Sequence, residues 1–388
     1  MNAAPIEAEP SGQEPSLPGL DDLDNLDDLQ ADGGADDGGA EAAESTASGR
    51  RPGLAAAVTD AQLAAWIDAI VDQDERALAA LYDEPYADSS AIPTYRVCQL
   101  ARKHVTVALS GDGGDESLGG YRRYRMHLME EKMRSSMPAG IRRPVFGLLG
   151  RMYPKADWAP RVFRAKTTFQ ALARDSVQAY FHSVSILRDD MRRQLFSQRF
   201  RQELGGYNAL EVFRRHAANA QTDDPLALIQ YLDIKTYLVG DINTKVDRAS
   251  MAHSLEVREP LMDHPLVEWL ASLPSSLKIK GQEGKYVFKK SMEPLLPQDV
   301  LYRPKMGFAV PLSRWFRGPL KARVREALLG ETLRATGLFN EAYLRHLVDA
   351  HQSGARDYSS AIWTTLMFEA FLRNCQTTAQ PAPLVRSA

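Results

Sequence analysis

Residues 105–109, VTVAL, run straight into SGDGGDESLGGY, and this junction constrains the fold of the chain more than any other stretch. The run is uncharged and β-branched, follows a helix-like segment at 91–103 and is bounded behind by glycines, so it reads as a buried parallel strand. In an open α/β sheet, ligands bind at the carboxyl ends of the strands. Gly111, Gly113 and Gly114 would let the backbone approach a phosphate or nucleotide there. Asp112, Asp115 and Glu116 put three carboxylates on the same loop, which suits a hard cation such as Mg²⁺ bridging a polyphosphate. The same residues also suit an acidic glycine turn capping a helix, and the loop alone does not decide between the two.

Charge is distributed unevenly around this centre. Residues 1–50 hold 13 Asp and Glu against the single Arg50, a net of −12; the whole chain of 388 residues carries −3, so the remainder carries about +9. Residues 1–53 are rich in Asp, Ala, Gly and Pro and poor in aromatics, which predicts a disordered acidic tail. Within it Leu17, Leu20, Leu23, Leu26 and Leu29 recur every third residue among aspartates, a pattern of solvated tails and of some partner-binding segments. Cys98 and Cys375 form no CxxC pair, and His253 and His264 have no third ligand at a sensible spacing, so a disulfide scaffold and a structural zinc site are not expected. A reduced, cytoplasmic location fits. No apolar run is long enough to span a membrane, and the amino terminus lacks the basic-then-apolar order of a signal peptide.

Along the chain, Thr59 and Gln62 form a capping-box pattern ahead of Leu63, Trp66, Ile67 and Ile70, and Asp74 can cap a second helix, giving a hairpin at 54–83. TDAQLAAWIDAIVDQDERALAALYD resembles the opening helices of bacterial extracytoplasmic-function sigma factors and stops before any helix that would read DNA. In 84–94, Ser89 or Ser90 precedes Pro93 as a helix cap. Residues 121–215 are basic and aromatic, with helices expected to break at Pro138, Pro144, Pro154 and Pro160. Their arginines read as a solvated face or as carboxylate partners, so nucleic acid is not expected. Around DINTKVDRASMAHSLEVREPLMDH, Asp241, Lys245, Asp247, Arg248, His253, Glu256, Arg258 and Asp263 sit among apolar residues and must pair or face a cleft. Arg303, Lys305 and Gly307 fall in a short irregular loop from which a cation can reach a phosphate. Ile362, Trp363, Leu366, Met367, Ala370 and Phe371 lie at helical spacing and predict a core helix, while 376–388 is expected to fray.

Together, DEPYADSSAIPTY, LSGDGGDESLGGYRRY, TKVDRASMAHSLEVREPLMDH and LYRPKMGFAVPLSRWF resemble, in order, the synthetase half of glutamine-dependent asparagine synthetases, over about residues 83–373. The stretch 121–197 is most similar to the branch found with bacterial exosortase and exopolysaccharide systems. The resemblance implies an α/β, mostly helical fold: a parallel sheet of the adenine-nucleotide alpha hydrolase-like, PP-loop type, incomplete here, with a large helical carboxy-terminal part. It divides the chain into a tail at 1–53, the hairpin at 54–83, a synthetase part at 84–375 and a second tail at 376–388.

The implied chemistry is ATP-dependent activation of a carboxylate, aspartate in the family name, as an acyl-adenylate, followed by attack of ammonia. By motif, Ser110, Gly111, Gly113 and Gly114 would lie against the nucleotide, Asp115 would bind Mg²⁺, and Asp112 would stand near the reacting acyl group. Lys305 would stabilise charge on the transferring phosphate and the departing pyrophosphate. Glu116, Asp241, Arg248, Glu256 and Arg258 would line the substrate side, with a structural salt-bridge role equally open to Arg248, Glu256 and Arg258. Two features of the family pattern do not occur: residue 2 is Asn2 rather than a catalytic cysteine, and no SGGxDS pyrophosphate loop precedes SGDGGDE. The expectation is therefore a chain inactive by itself whose sheet needs strands from another chain. A sigma-like regulatory protein and a non-functional fusion are the alternatives.

Overall fold

The computed structural model describes residues 81–82, 84–153, 166–303 and 310–378, and these are mostly helical. The expected hairpin at 54–83 and the acidic tail lie outside them, apart from Leu81 and Tyr82.

Three strand and helix units build the edge that carries the glycine loop. Helix α1 (Ala91–Arg102) leads into strand β1 (Val107–Leu109), which opens through the loop into the short helix α2 (Gly114–Leu118). Strand β2 (Glu256–Arg258) pairs with β1 in parallel, Val107 opposite Glu256, Ala108 opposite Val257 and Leu109 opposite Arg258. A parallel pair needs a long crossover. Here it includes α3 (Arg122–Ser135), α4 (Ser176–Val184), α5 (Pro225–Asp233), a π-helical segment at Ile234–Asn243 and α6 (Thr244–Met251). Helix α6 packs across α1 beneath the strands.

The strand pair corrects the expectation of a buried strand at 105–109. Only Val107–Leu109 is extended, and Val107 and Leu109 are 38 % and 74 % exposed. Alternation explains this: Ala108 and Val257 point inward onto Cys98, Ala249 and Leu255, while Val107 and Leu109 share the outer face with Glu256 and Arg258. With two strands described and, among the described residues, nothing packed on that face, the apolar run has one covered side.

Behind the loop, Tyr124, Tyr180, Leu226, Ile229 and Leu232 form a second core. At its centre Asp233 is fully buried, and its Oδ2 accepts bonds from the Tyr124 hydroxyl (2.6 Å), the Tyr180 hydroxyl (2.6 Å) and Arg123 (2.8 Å). The Arg123 guanidinium lies 3.7 Å from the Tyr121 ring centre and 4.9 Å from that of Tyr237. Local caps fix these helices. Asp224 accepts the Leu226 and Ala227 N–H groups ahead of Pro225, and Asp175 accepts that of Gln178.

Past β2 come α7 (His264–Ser272), α8 (Tyr286–Met292) and a carboxy-terminal bundle of α9 (Leu312–Arg317), α10 (Lys321–Leu329), α11 (Glu341–Gln352) and α12 (Ser359–Thr378). The expected core helix is α12: Ile362, Trp363, Leu366, Met367 and Ala370 are buried. Tyr82, Tyr86, Ala91 and Ile92 join the same core and tie the start of the described chain to its end. Two expectations fail. Pro144 lies inside the helix Ala139–Met152 instead of ending it, because the lost bond falls toward the exposed Gly140. Helix α12 also continues to Thr378, past the expected boundary at 375.

Candidate functional site

The loop begins as a continuation of the strand ladder, with the Ser110 N–H donating to the Arg258 carbonyl (2.8 Å). The Ser110 hydroxyl then donates to Asp112, whose own N–H points back to Ser110 Oγ (3.3 Å), folding the turn. Gly113 has φ +80° as the residue before α2, and a Cβ there would overlap Met262; one on Gly114 would overlap Leu261. SGDGGDE and EPLM are thus in direct contact. A Cβ on Gly111 would meet nothing within 4 Å, so the backbone there is open to an approaching group.

A third segment closes the loop. Lys285 Nζ is 3.0 Å from Asp115 Oδ1, the Lys285 N–H donates to the Leu118 carbonyl (3.1 Å), and a Cβ on Gly120 would overlap both Asp115 and Lys285. Lys285 itself has φ +55°, a left-handed conformation disfavoured for a side-chain-bearing residue and more frequent at functional positions. Nearby, burial and then the charges of Asp112 and Asp247 push the Glu259 carboxyl up.

A second polar cluster joins DEPYADSSAIP to the stretch containing Lys245. Lys245 Nζ donates to Asp88 Oδ2 (2.7 Å) and Ser90 Oγ (2.8 Å), while Asp88 also accepts the Ser90 hydroxyl (2.6 Å) and N–H (2.9 Å). Burial opposes ionisation of Asp88, but Lys245 and Ser90 outweigh it and hold the carboxyl below its ordinary value. One turn away, Tyr86 donates to the Asp241 carboxylate. Burial first, and the charge of Asp88 second, push Asp241 up to about 6. The π-helical segment links this cluster to Tyr237 beside Arg123, and such segments are frequent at functional sites.

The sequence pattern of asparagine synthase matches residues 55–373. The chain belongs to the asparagine synthase family. It is 31% identical over 291 residues to asparagine synthetase [glutamine-hydrolyzing] 1 of Bacillus subtilis, covering 74% of this chain and 43% of that protein. A putative asparagine synthetase [glutamine-hydrolyzing] of Mycobacterium tuberculosis is 32% identical over 290 residues, covering 74% and 42%. Putative asparagine synthetase [glutamine-hydrolyzing] 2 of Methanocaldococcus jannaschii is 48% identical over 69 residues, covering 17% and 13%. This asparagine synthase family chain spans less than half the length of these relatives, and the family match takes in the stretch 59–83.

The structure gathers the residues named from the sequence unevenly. Ser110, Gly111, Asp112, Gly113, Gly114 and Asp115 stand together at the strand end. Glu116 does not share their surface: it is buried, its carboxylate accepts the Tyr121 hydroxyl (2.6 Å), its carbonyl accepts from Gln230, and burial pushes it up. Glu256 and Arg258 bond to each other (2.7 Å) on the exposed face of β2, and Arg248 lies exposed on α6. Asp241 belongs to the second cluster. Lys305 and Gly307 lie outside the described residues, while Arg303 is exposed. Sequence reasoning passed over Asp88, Glu259 and Lys285. None carries a local signal, since each becomes notable through a partner far along the chain; for Asp88 and Lys245 the separation is 157 residues.

Proposed function

We propose that this site performs ATP-dependent amidation of a carboxylate, with aspartate as acceptor and ammonia as nitrogen source. The observation that supports the reading most is the meeting of three separated segments, 110–116, 259–262 and 285, at the carboxyl end of parallel strands β1 and β2 in an asparagine synthase family chain. A carboxylate oxygen of the acceptor attacks the α-phosphorus of ATP and pyrophosphate leaves. Ammonia then attacks the acyl carbon, AMP departs with the bonding pair, and the nitrogen loses a proton.

Ser110 and Gly111 fit the nucleotide because the backbone at Gly111 is unobstructed. Asp112, tethered by Ser110, stands where the acyl group would react. Asp115 offers a carboxylate for Mg²⁺, which would neutralise charge on the leaving pyrophosphate. A Mg²⁺ ion at Asp115 would take most of its remaining oxygens from phosphate and water. Lys285, paired with Asp115, would supply a second cation at the phosphate end. Lys305 is assigned to the transferring phosphate.

The sheet is read as a PP-loop-type, adenine-nucleotide alpha hydrolase-like sheet, of which two strands occur among the described residues. The chain is divided as a tail at 1–53, a hairpin at 54–83, the synthetase part at 84–375 and a tail beyond. Among the described residues β1 and β2 each pair on one side only, which favours completion by strands of a second polypeptide. The test is aspartate-dependent pyrophosphate release with MgATP and ammonia, measured with the chain alone and with the segment of the Bacillus subtilis relative that the chain does not match. Release is expected in the mixture and not with the chain alone, and Lys305→Ala and Asp115→Ala should abolish it. Release that persists in both variants would refute the assignment.

A further inference from the structure

Helix Ala139–Met152 is turned the opposite way from a surface helix of a soluble protein. Its inward seam is Arg142, Phe146, Gly150 and Tyr153. The Arg142 guanidinium donates to the carbonyls of Leu172 and Arg174 (2.9 Å for the latter), and Phe146 stacks on Phe169 at 5.9 Å between ring centres. The outward stripe is apolar: Ile141, Val145, Leu148 and Met152, at i, i+4, i+7 and i+11, are 62 %, 48 %, 58 % and 74 % exposed. Arg143 and Arg151 flank it in the open, and the helix contains no acidic residue. A stripe this regular, unpartnered among the described residues, marks a docking face.

We infer that the occupant is the chain's own segment 17–29, LPGLDDLDNLDDL. It supplies what the face lacks: five leucines at regular spacing for the stripe, and Asp21, Asp22, Asp24, Asp27 and Asp28 for the arginines. The charge balance favours the same match, because residues 1–50 carry −12 and the rest about +9. About 50 residues separate this segment from Leu81, enough chain to reach any face of the folded part. Tethering in one molecule raises the local concentration of the segment to the order of millimolar, so a weak site is filled. A lipid surface fits less well: with two exposed arginines the helix lacks the dense basic face of interfacial helices.

The experiment places a photoreactive benzophenone side chain at position 23 of the full chain and maps the cross-links by peptide mass spectrometry. Adducts within one molecule to 139–152 are expected. Their yield should drop about fivefold in the double variant Ile141→Ser, Leu148→Ser, whose sites are exposed and whose fold should be unchanged, and severalfold between about 0.05 and 0.5 M salt. Hydrogen exchange over 139–152 should rise about tenfold when Leu20, Leu23 and Leu26 are all changed to Ser. Adducts elsewhere, adducts only between molecules, or exchange that ignores the leucine changes would overturn the inference. So would cosedimentation with phosphatidylserine vesicles that depends on Leu148 while the cross-links do not, which would give the face to lipid.

Discussion

The carboxy-terminal bundle and the β1–β2 edge are both built from apolar residues, yet they differ in what covers them. In the bundle, four helices and the start of the described chain enclose Phe316, Leu347, Ile362 and Leu366 until almost nothing reaches solvent. At the edge, Val107 and Leu109 belong to a strand of equal apolarity and stand open. Helices satisfy their backbone groups internally and need only side-chain cover, whereas a parallel strand needs both neighbours and both faces. The difference shows that the folded core of this molecule is the helical part, and that the edge carrying the glycine loop is held up from one side.

Four measurements would break or sharpen that contrast. The largest effect is expected at Asp233, which anchors the polar layer behind the loop. Asp233→Ala leaves Arg123 without its buried partner and should cost about 3–5 kcal/mol in urea unfolding; a loss below about 1 kcal/mol would mean that the tyrosines alone hold the layer. In the bundle, Leu366→Ala should cost about 2–5 kcal/mol through lost burial and the cavity left behind. Equal costs at Leu366 and at an exposed strand residue would erase the distinction between the regions.

Acid should act next. Burial, with repulsion from Arg134, lowers His127 to about 3, and burial with Arg174 and Arg188 lowers His182 to about 4. Unfolded, both titrate near about 6.5, so the unfolded chain takes up protons that the folded chain refuses. Their stabilisation is complete above about 6.5 and is lost as the pH falls toward 3–4, each costing about 2 kcal/mol between pH 7 and 5. Asp241, at about 6, has the opposite sign: the folded state takes the proton first and recovers roughly 1 kcal/mol in the same window. Burial also pushes Glu130 up to about 7, which recovers about 2 kcal/mol in the same window, so the four contributions nearly cancel. His127→Gln removes one of the falling contributions and should come out about 2 kcal/mol more stable at pH 5, relative to pH 7, than the unsubstituted chain in unfolding curves. A pH profile that His127→Gln leaves unaltered would place that imidazole in contact with water. The smallest effect belongs to the open edge. Leu109→Ser should change stability by less than about 0.5 kcal/mol while lowering self-association in light scattering.

Much of this arrangement was legible in the sequence where the cause is local. The strand-to-glycine junction and the spacing of α12 each rest on a few consecutive residues. The failures have one physical source, pairing at a distance. Glu116 sits in an acidic glycine loop but turns inward because Tyr121 and Gln230 receive it, and no neighbour in sequence announces Gln230. Residues 105–109 have the composition of a buried strand, and composition does not show whether covering strands arrive. Asp88 and Lys285 gain meaning through Lys245 and Asp115, contacts created by the fold itself.

The parallel register of β1 with β2 also has a consequence in time. Val107 and Glu256 are separated by roughly 150 residues. At typical synthesis rates the ribosome would deliver β2 some 10–30 s after β1. During that interval Val107 and Leu109 have no strand partner among the described residues, so the nascent chain exposes its glycine loop and apolar edge together. This is the period in which a chaperone or a complementing polypeptide would have greatest access to it.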